Sequence, residues 1–261
     1  MSAILTLADV GVDIGAATLL RGVSLSIAAG ERIALIGPNG AGKSSLLRVL
    51  SGEMHPSRGR VDLLGRPLAA YAPAELAEQR AVLSQQIAVA FPFRVSEIVA
   101  MGGRGAPVPD AAIDAALAQV GLAGFAGRIV TTLSGGEQQR AHIARVLVQM
   151  TCGKRDGAPG LILLDEPTAS LDLRHQLDLA AIVTNCAARG LAVVSILHDL
   201  NLVPLFAERV VVLDHGCLVA DGMVGDTITE AMMQQVFGVR GAVGRTPAVN
   251  MPFVLPQAAE R

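Results

Sequence analysis

The stretch that decides the fold is Arg32–Leu50, with the sequence RIALIGPNGAGKSSLLRVL. It begins with a mostly apolar run typical of a buried strand and ends with the spacing of a helix. Between them lies Gly37-Pro38-Asn39-Gly40-Ala41-Gly42-Lys43-Ser44-Ser45, which matches the pattern G-x-x-x-x-G-K-[ST]. Glycines at such a junction allow backbone N–H groups to surround phosphate oxygens at a helix N-terminus. The stretch therefore predicts a phosphate-binding loop, in which Lys43 meets the β- and γ-phosphates and Ser44 is a ligand of Mg²⁺.

Two further apolar runs end in polar residues that a nucleotide site uses. Leu161–Leu164 leads into Asp165 and Glu166, and Ala192–Leu197 leads into His198. Because ligands bind beyond the carboxyl ends of parallel strands, we expect these side chains to meet the phosphate-binding loop at one edge of a sheet. The two carboxylates then have different predicted roles. The first lies near the metal, and the second polarises the water that attacks the γ-phosphate.

A second glycine-containing motif is Leu133-Ser134-Gly135-Gly136-Glu137-Gln138-Gln139-Arg140. Ser134 and Glu137 form an S-x-x-E capping box, which predicts that a helix begins here. Two consecutive glycines inside a cap indicate that an anion approaches the backbone closely. The chain thus has two predicted phosphate cradles for one pair of strand-borne carboxylates. This mismatch is resolved if two chains share each nucleotide.

The motif LSGGEQQR resembles the signature of ATP-binding cassette (ABC) ATPases, and other motifs of that family occur in the expected order. Gln85, in AVLSQ, resembles the Q-loop glutamine that contacts Mg²⁺ and the membrane partner. Ala169-Ser170-Leu171-Asp172 resembles the D-loop, and His198, in SILHD, resembles the switch histidine that contacts the γ-phosphate. The resemblance extends over residues 3–240.

The resemblance implies an α/β fold: a P-loop NTPase (RecA-like) core with an N-terminal antiparallel β-subdomain and an inserted helical subdomain. The implied ATPase domain covers residues 1–240, with the helical part at approximately 86–150, and residues 241–261 form a C-terminal tail. ATP and Mg²⁺ are the implied cofactors. The implied catalytic residues are Glu166 and His198. The implied metal ligands are Ser44, Gln85 and Asp165. The implied ATP-binding residues are Gly37, Pro38, Asn39, Gly40, Ala41, Gly42, Lys43, Ser44, Ser45, Gln85, Ser134, Gly135, Gly136, Glu137 and Asp172.

Four shorter stretches resemble particular subfamilies of ABC ATPases. Ala90–Val95, AFPFRV, resembles importers of metal chelates such as siderophores, haem and cobalamin. LDLRHQ (171–176), HDLNL (198–202) and the closing PFVLP are similar to hemin-import ATPases. The implied partners are a second copy of this chain, two transmembrane permease subunits and, indirectly, a periplasmic hemin-binding protein. The implied location is the cytoplasmic face of the bacterial inner membrane.

Other functions stay open at this point. Within the same class, the chain is alternatively the ATPase of a ferric-siderophore or cobalamin importer. A soluble ABC ATPase of translation or DNA repair is disfavoured, because such proteins typically carry two cassettes or a long coiled-coil insert. A non-hydrolysing regulatory cassette is disfavoured because Lys43, Glu166 and His198 are all present.

Composition excludes several classes of protein. The chain has 261 residues, of which 51% are hydrophobic and 17% charged, so it is not a disordered protein. The net charge of −2 gives no global basic field for nucleic acid, and no nucleic-acid partner is expected. The apolar runs are far shorter than a membrane-spanning helix. The three cysteines, Cys152, Cys186 and Cys217, have no metal or redox spacing and are expected to be structural.

Hydrophobic periodicity gives a coarse map of the elements. Strands are predicted at Ile4–Leu7, Val23–Ile27 and Arg32–Ile36 in a mixed N-terminal sheet, and later at Leu161–Leu164, Ala192–Leu197 and Arg209–Leu213. Helices are predicted at Lys43–Leu50, Ser96–Met101, Ala111–Val120 and Glu137–Val148. Residues 151–160 are predicted to be an exposed loop, and Pro252–Leu255 a final short strand.

Two further predictions concern the contact with the nucleobase and the contact with the permease. Many ABC ATPases stack an aromatic residue on adenine, and here Ile14 aligns with it, which predicts weak discrimination between nucleobases. Arg21 is the alternative group for that contact. Phe91 and Phe93 follow the Q-loop beside a proline, and we expect them to dock a short permease helix, with core packing as the alternative.

Overall fold

The computed structural model describes residues 3–85, 91–151, 159–241, 243–245 and 252–258. A four-stranded antiparallel sheet has the order β2-β1-β4-β5, and a six-stranded sheet has the order β10-β9-β3-β8-β7-β6. The strands are β1 (Ala3–Ile14), β2 (Ala17–Ala28), β3 (Arg32–Ile36), β4 (Arg58–Leu63), β5 (Arg66–Pro67), β6 (Arg80–Leu83), β7 (Gly160–Asp165), β8 (Leu191–Ile196), β9 (Arg209–Asp214) and β10 (Cys217–Met223).

Helices lie between and after these strands. They are α1 (Lys43–Ser51), α2 (Pro73–Gln79), α3 (Val95–Ala100), α4 (Asp110–Gln119), α5 (Gly135–Thr151), α6 (Leu173–Ala188), α7 (Val203–Phe206), α8 (Val224–Thr227) and α9 (Glu230–Phe237). Short 3₁₀ turns occur at Leu68–Ala70, Met101–Gly103, Val130–Thr132 and Pro256–Ala258. The four predicted helices are confirmed, each to within three residues at either end. None of the helices within the described residues is long and apolar enough to cross a membrane.

The six-stranded sheet is parallel from β9 to β6, and only its edge strand β10 is antiparallel. Strands β7 and β8 are almost entirely apolar because both faces of the sheet are covered. The parallel pairing sets the carboxyl ends of β3, β7 and β8 at one edge. The predicted convergence of the three strand ends is therefore confirmed.

Two apolar cores lie on opposite faces of this sheet. Alternate residues of β3 face one core or the other: Ile36 packs with helices α3 to α6, whereas Leu35 packs with α1 and the antiparallel sheet. The resulting layers are helices, parallel sheet, and antiparallel sheet with α1. The predicted α/β fold class, with parallel and antiparallel sheets, is confirmed.

The N-terminal strands are longer than predicted, and one strand was assigned to the wrong sheet. Strands β1 and β2 have 12 residues each. Irregular register after Leu7, with Asp9 at a φ of +50°, interrupts the alternation on which the prediction depended. Arg32–Ile36 pairs with β8 and β9 and does not belong to the N-terminal sheet.

The carboxyl-terminal part of the chain corrects another prediction. Pro252–Leu255 is irregular and precedes a 3₁₀ turn, so the predicted strand is wrong. The short run contains Pro252, which cannot donate a ladder hydrogen bond. Most of the predicted loop 151–160 lies outside the described residues. Of that loop, Thr151 ends α5 and Gly160 begins β7.

Candidate functional site

The phosphate-binding loop fits tightly between its neighbours, which explains its glycines. Gly37 has a φ of +147°, and a Cβ there would lie 2.1 Å from the carbonyl oxygen of Leu213. Gly42 caps α1 at a φ of +98°, and a Cβ there would lie 2.8 Å from the carbonyl oxygen of Leu19. Because any other residue at these positions meets backbone, the loop conformation requires glycine.

Lys43 is the charged centre of the loop. Its side chain is 6% exposed, and Nζ donates hydrogen bonds to the carbonyl oxygens of Gly37 (2.8 Å) and Pro38 (2.9 Å). Burial lowers the pKa of Lys43, and Glu166 and Asp165 raise it again in part. The ammonium group is thus held next to the loop and faces two carboxylates.

Asp165 ends β7 next to the loop and lacks full hydrogen bonding. Its Oδ1 is buried without a hydrogen-bond partner among the described residues. Burial and the neighbouring Glu166 raise the pKa of Asp165, whereas a hydrogen bond from Ser44, together with His198 and Lys43, lowers it. A buried oxygen without a partner, beside a hydroxyl and an ammonium group, fits a bound cation that prefers oxygen ligands.

Glu166 is held between two of the predicted site residues. Gln85 Nε2 donates to Glu166 Oε2 at 2.7 Å, and His198 Nε2 lies 2.5 Å from Glu166 Oε1. The backbone of Glu166 has a φ of +49°, an unfavourable value for a residue with a Cβ. Gln139 Nε2 donates to the carbonyl oxygens of Glu166 (3.3 Å) and Pro167 (2.7 Å), which fixes the strained turn to α5.

The signature motif forms the predicted capping box. Glu137 accepts a hydrogen bond from the backbone of Ser134 at 2.8 Å, and Ser134 Oγ accepts one from the backbone of Glu137 at 3.3 Å. The hydrogen bond from the backbone N–H of Ser134 is the largest cause of the lowered pKa of Glu137. A Cβ at Gly136 would lie 2.7 Å from the carbonyl oxygen of Ser170, whereas one at Gly135 would meet nothing within 4 Å. Packing within the chain thus explains the second glycine and leaves the first without an intramolecular reason.

Asp172 caps α6. Its carboxylate accepts hydrogen bonds from the backbone of His175 at 2.9 Å and is 2.7 Å from Nδ1 of the same residue. These contacts lower the pKa of Asp172. Capping of α6 is thus sufficient to explain an aspartate at this position within a single chain.

Some of the predicted site residues line one cleft, whereas Gly37, Pro38, Ala41, Gln85 and Asp165 adjoin it without being part of its lining. A cleft of about 420 Å³ is lined by Thr18, Leu19, Arg21, Asn39, Gly40, Gly42, Lys43, Ser44, Ser45, Glu166, His198, His215 and Gly216. The described residues of the signature and of the D-loop are not part of this lining. Ile14, 56% exposed at the end of β1, is also outside it, so its predicted contact with the base finds no support here.

Sequence reasoning missed four residues of the cleft, Thr18, Leu19, His215 and Gly216. The available signal was the tripeptide Asp214-His215-Gly216 between two apolar runs, which is typical of a hairpin turn. The turn joins β9 to β10 and lies beside the phosphate-binding loop. Arg21, the alternative to Ile14, does line the cleft.

Comparison with known proteins adds independent findings. A sequence profile of the ABC transporter family matches residues 20–169. The hemin import ATP-binding protein HmuV of Rhodopseudomonas palustris (strain BisA53) is 55% identical over 247 residues, which are 94% of this chain and 91% of that protein. The protein of the same name from Bradyrhizobium diazoefficiens is 53% identical over 260 residues, 99% of this chain and 96% of that protein.

Two solved structures share the fold. A metal-chelate type ABC transporter in an inward-facing conformation matches with a TM-score of 0.74 and 26% identity over 91% of this chain and 90% of that chain. A bacterial Atm1-family ABC exporter with ATP bound matches with a TM-score of 0.74 and 31% identity over 85% of this chain. The match spans 39% of that exporter chain.

Proposed function

The chain belongs to the ABC transporter family, and on that premise we propose that it is the ATP-hydrolysing, energy-coupling subunit of a hemin importer. One observation carries the hydrolytic part of the proposal. Glu166, at the carboxyl end of a buried strand, lies between Gln85 and His198 at the phosphate-binding loop. The cargo is inferred from relatives named hemin import proteins that are more than 50% identical over nearly the whole chain.

ATP fits the cleft with its phosphates at the glycine-rich loop. The residues assigned to ATP there are Gly37 to Ser45, with Lys43 against the β- and γ-phosphates. Lys43 Nζ, now bonded to two carbonyl oxygens, is the donor available to a phosphate oxygen. Its lowered pKa reflects a desolvated ammonium group, so a phosphate next to it gains a strong charge-assisted hydrogen bond.

The donors at the end of β7 fit a Mg²⁺ ion. Asp165 supplies an oxygen without a partner, Ser44 supplies a hydroxyl, and Gln85 retains its side-chain oxygen because its amide nitrogen bonds to Glu166. These three residues would hold the ion. When bound, Mg²⁺ neutralises negative charge on the β- and γ-phosphates.

Glu166 is the proposed general base. Its carboxylate orients a water molecule and accepts a proton from it. The water oxygen attacks the γ-phosphorus, and the bond between that phosphorus and the ADP oxygen breaks. His198 lines the same cleft, 2.5 Å from Glu166, and we assign it to donate to a γ-phosphate oxygen of bound ATP. Both side chains are therefore assigned catalytic roles.

A homodimer is the proposed active assembly. A Cβ at Gly135 would meet nothing within 4 Å, and Ser134 and Gly135 are exposed. The signature also does not line the cleft of its own chain. It is therefore available to a nucleotide that a second copy holds. Ser134, Gly135, Gly136 and Glu137 would then contact ATP across the dimer interface, with Asp172 nearby. Each copy would use its own Lys43 and Glu166.

The remaining partners and the location follow from the same proposal. Two transmembrane permease subunits would carry the cargo, a periplasmic hemin-binding protein would deliver it, and the chain would lie at the cytoplasmic face of the bacterial inner membrane. We also propose the division into an ATPase domain over residues 1–240, with a helical subdomain at approximately 86–150, and a tail at 241–261.

Affinity purification of the tagged chain from its own membranes, followed by reconstitution of the co-purifying permease in liposomes, tests this function. We expect hemin with its binding protein to stimulate ATP hydrolysis. A ferric siderophore or cobalamin should have no effect. Stimulation by one of those chelates instead would replace the proposed cargo, and purification without any permease would contradict the transport role.

A further inference from the structure

The turn between β9 and β10 forms part of the cleft that the phosphate-binding loop and Glu166 also line. His215 and Gly216 of this turn line the cleft together with Thr18, Leu19 and Arg21 of β2. None of these residues belongs to the phosphate-binding loop. Apart from Glu166 and His198, they are the part of the described lining that lies outside that loop.

The turn is fixed at three points. Gly216 donates to the carbonyl oxygen of Ala41 (3.0 Å) and accepts from the backbone N–H of Arg21 (2.8 Å). A Cβ at Gly216 would lie 2.6 Å from the carbonyl oxygen of Leu19. The turn is thus held between the phosphate-binding loop and β2, and backbone hydrogen bonds set its position relative to that loop.

His215 has a left-handed backbone conformation in this turn. Its φ is +47°, a value that few residues other than glycine adopt, although asparagine, aspartate and histidine do so more often than most. Its Nδ1 lies 2.7 Å from Oδ1 of Asp214, while 89% of the side chain is exposed. The contact with Asp214 fixes one edge of the imidazole and leaves most of the ring accessible at the mouth of the cleft.

Flat side chains are scarce in this protein, which has one tyrosine and no tryptophan. The tyrosine, Tyr71, donates to the carbonyl oxygen of Leu63 and packs under Arg66. Within the described lining of the cleft, the two rings are those of His198 and His215, and His198 is engaged with Glu166 at the phosphate end.

We propose that the imidazole ring of His215 contacts the nucleobase of the bound nucleotide and supplies the base-binding part of its affinity. The inference rests on the proposed ATP-dependent function, which it deepens by assigning the group that recognises the base. A ring held at the mouth of the cleft stacks on the face of any purine. Arg21, beside it on β2, is the competing assignment.

Binding of two ligands to the full chain separates the base from the phosphates. MgATP carries a base, whereas Mg-tripolyphosphate offers only the phosphate chain. We expect His215→Asn to weaken ATP binding by roughly five- to a hundredfold, the range of one lost stacking contact, and to leave tripolyphosphate binding unchanged. Asparagine is chosen because it tolerates the left-handed conformation of this turn.

Two further variants complete the design. His215→Phe keeps a ring and should retain most of the affinity for ATP. His55→Ala removes an exposed histidine outside the cleft lining and is the matched control, with no expected effect on either ligand.

The proposal is overturned if His215→Asn binds ATP as the wild type does, or if it loses affinity for both ligands equally, which would show that the residue only shapes the turn. It is also overturned if Arg21→Gln weakens ATP alone while His215→Asn does not. Absence of transport-coupled hydrolysis, with ATP binding intact, would contradict the proposed function and leave this assignment untouched.

Discussion

At the scale of single residues, the site shows unfavourable local features that its neighbours maintain. Glu166 has a positive φ, Asp165 has a buried oxygen without a described partner, and Lys43 is desolvated. Each feature costs stability when taken alone. They occur together where chemistry on a phosphate requires a base, a metal ligand and a cation. Function thus explains residues that packing alone does not.

Replacement of the proposed base separates binding from turnover. Glu166→Gln keeps the size and hydrogen-bonding capacity of the side chain but cannot accept a proton, so we expect ATP binding to persist and hydrolysis to fall by about 10²- to 10⁴-fold. A closed, ATP-bound dimer should accumulate. Equilibrium binding and steady-state phosphate release measure the two effects, with Glu78→Gln on α2 as the matched control. Rapid steady-state hydrolysis by Glu166→Gln would remove Glu166 from the role of base.

Replacement of Lys43 should abolish ATP binding, whereas replacement of Glu166 should abolish only turnover. Lys43→Ala removes the cation that meets the phosphates, so ATP binding itself should be lost. Equilibrium binding of MgATP measures this directly. Retention of wild-type affinity by Lys43→Ala would contradict the assignment of the phosphate-binding loop.

Asp165 links stability to pH. Burial raises its pKa, so the folded state binds this proton more tightly than the unfolded state, and stability falls as pH rises from the unfolded pKa through the folded pKa. We expect Asp165→Asn to stabilise the nucleotide-free chain at pH 7 and to abolish Mg²⁺-dependent hydrolysis. Urea unfolding at several pH values measures the effect. An equal difference at pH 7 and below pH 4 would contradict this cause.

Nucleobase selectivity is expected to be weak. Stacking on an imidazole ring is tolerant of the base because every base has a π-face, so GTP should compete with ATP to within about tenfold. Competition of unlabelled GTP against labelled ATP measures the ratio. A preference for ATP above about a hundredfold would show that a hydrogen-bonding group reads the base edge.

At the scale of elements, periodicity predicted the helices α1, α3, α4 and α5 and the central strands β3, β7, β8 and β9, whose apolar patterns are regular, but not the helices α2, α6, α7, α8 and α9. The register of β1 and β2 was not predictable, since a bulge after Leu7 disrupts the alternation. Strands β4, β5, β6 and β10 were missed; β4 and β10 carry glycines and charges that are typical of loops, and β5 and β6 have only two and four residues. The site was predictable where motifs are local, as in Gly37–Ser45. His215 was not, because only the tertiary position of its turn brings it to the cleft.

Helix α5 contains a buried histidine that makes the chain sensitive to acid. His142 is 5% exposed, its two ring nitrogens have no hydrogen-bond partner among the described residues, and burial lowers its pKa to about 4. The unfolded chain takes up this proton near pH 6.5 and the folded chain does not, so stability is lost as pH falls from about 6.5 toward 4.

Substitution tests the origin of that loss. His142→Leu replaces the ring by an apolar side chain with no charge to desolvate, and should flatten the decline in unfolding free energy between pH 7 and pH 5 by up to about 2 kcal/mol. Urea unfolding at pH 7 and pH 5 measures it, with the exposed His55→Leu as control. A decline that persists unchanged in His142→Leu would assign the acid sensitivity to other groups.

At the scale of the whole molecule, the fold places the catalytic groups at one edge of the parallel sheet, and the segment that leads into α3 has an exposed surface of its own. Phe91 lies on that surface and is 67% exposed, whereas Phe93 packs against the core and contacts Phe91 edge to face, with centroids 6.2 Å apart. The two phenylalanines, predicted as a pair, therefore have different environments. Only the first is free to contact a partner.

The difference gives separate expected outcomes for the two residues. Phe91→Ala should impair hemin transport by the reconstituted complex and leave basal hydrolysis and the midpoint of thermal unfolding unchanged. Phe93→Ala should lower stability by about 1–3 kcal/mol because it removes a partly buried ring. Val254→Ala, at another exposed apolar side chain, is the control. Loss of stability in Phe91→Ala would show that it serves the fold.

ATP-dependent accumulation of hemin tests the central claim most directly. The complex of this chain with its permease is reconstituted in liposomes, the hemin-loaded binding protein is supplied on one side and MgATP on the other, and hemin is measured inside the compartment that holds the ATPase. We expect accumulation with the wild-type chain and none with Glu166→Gln, although that variant binds ATP. Hemin uptake that is equal in the two preparations, or ATP hydrolysis without any hemin movement, would contradict an ATP-driven hemin importer.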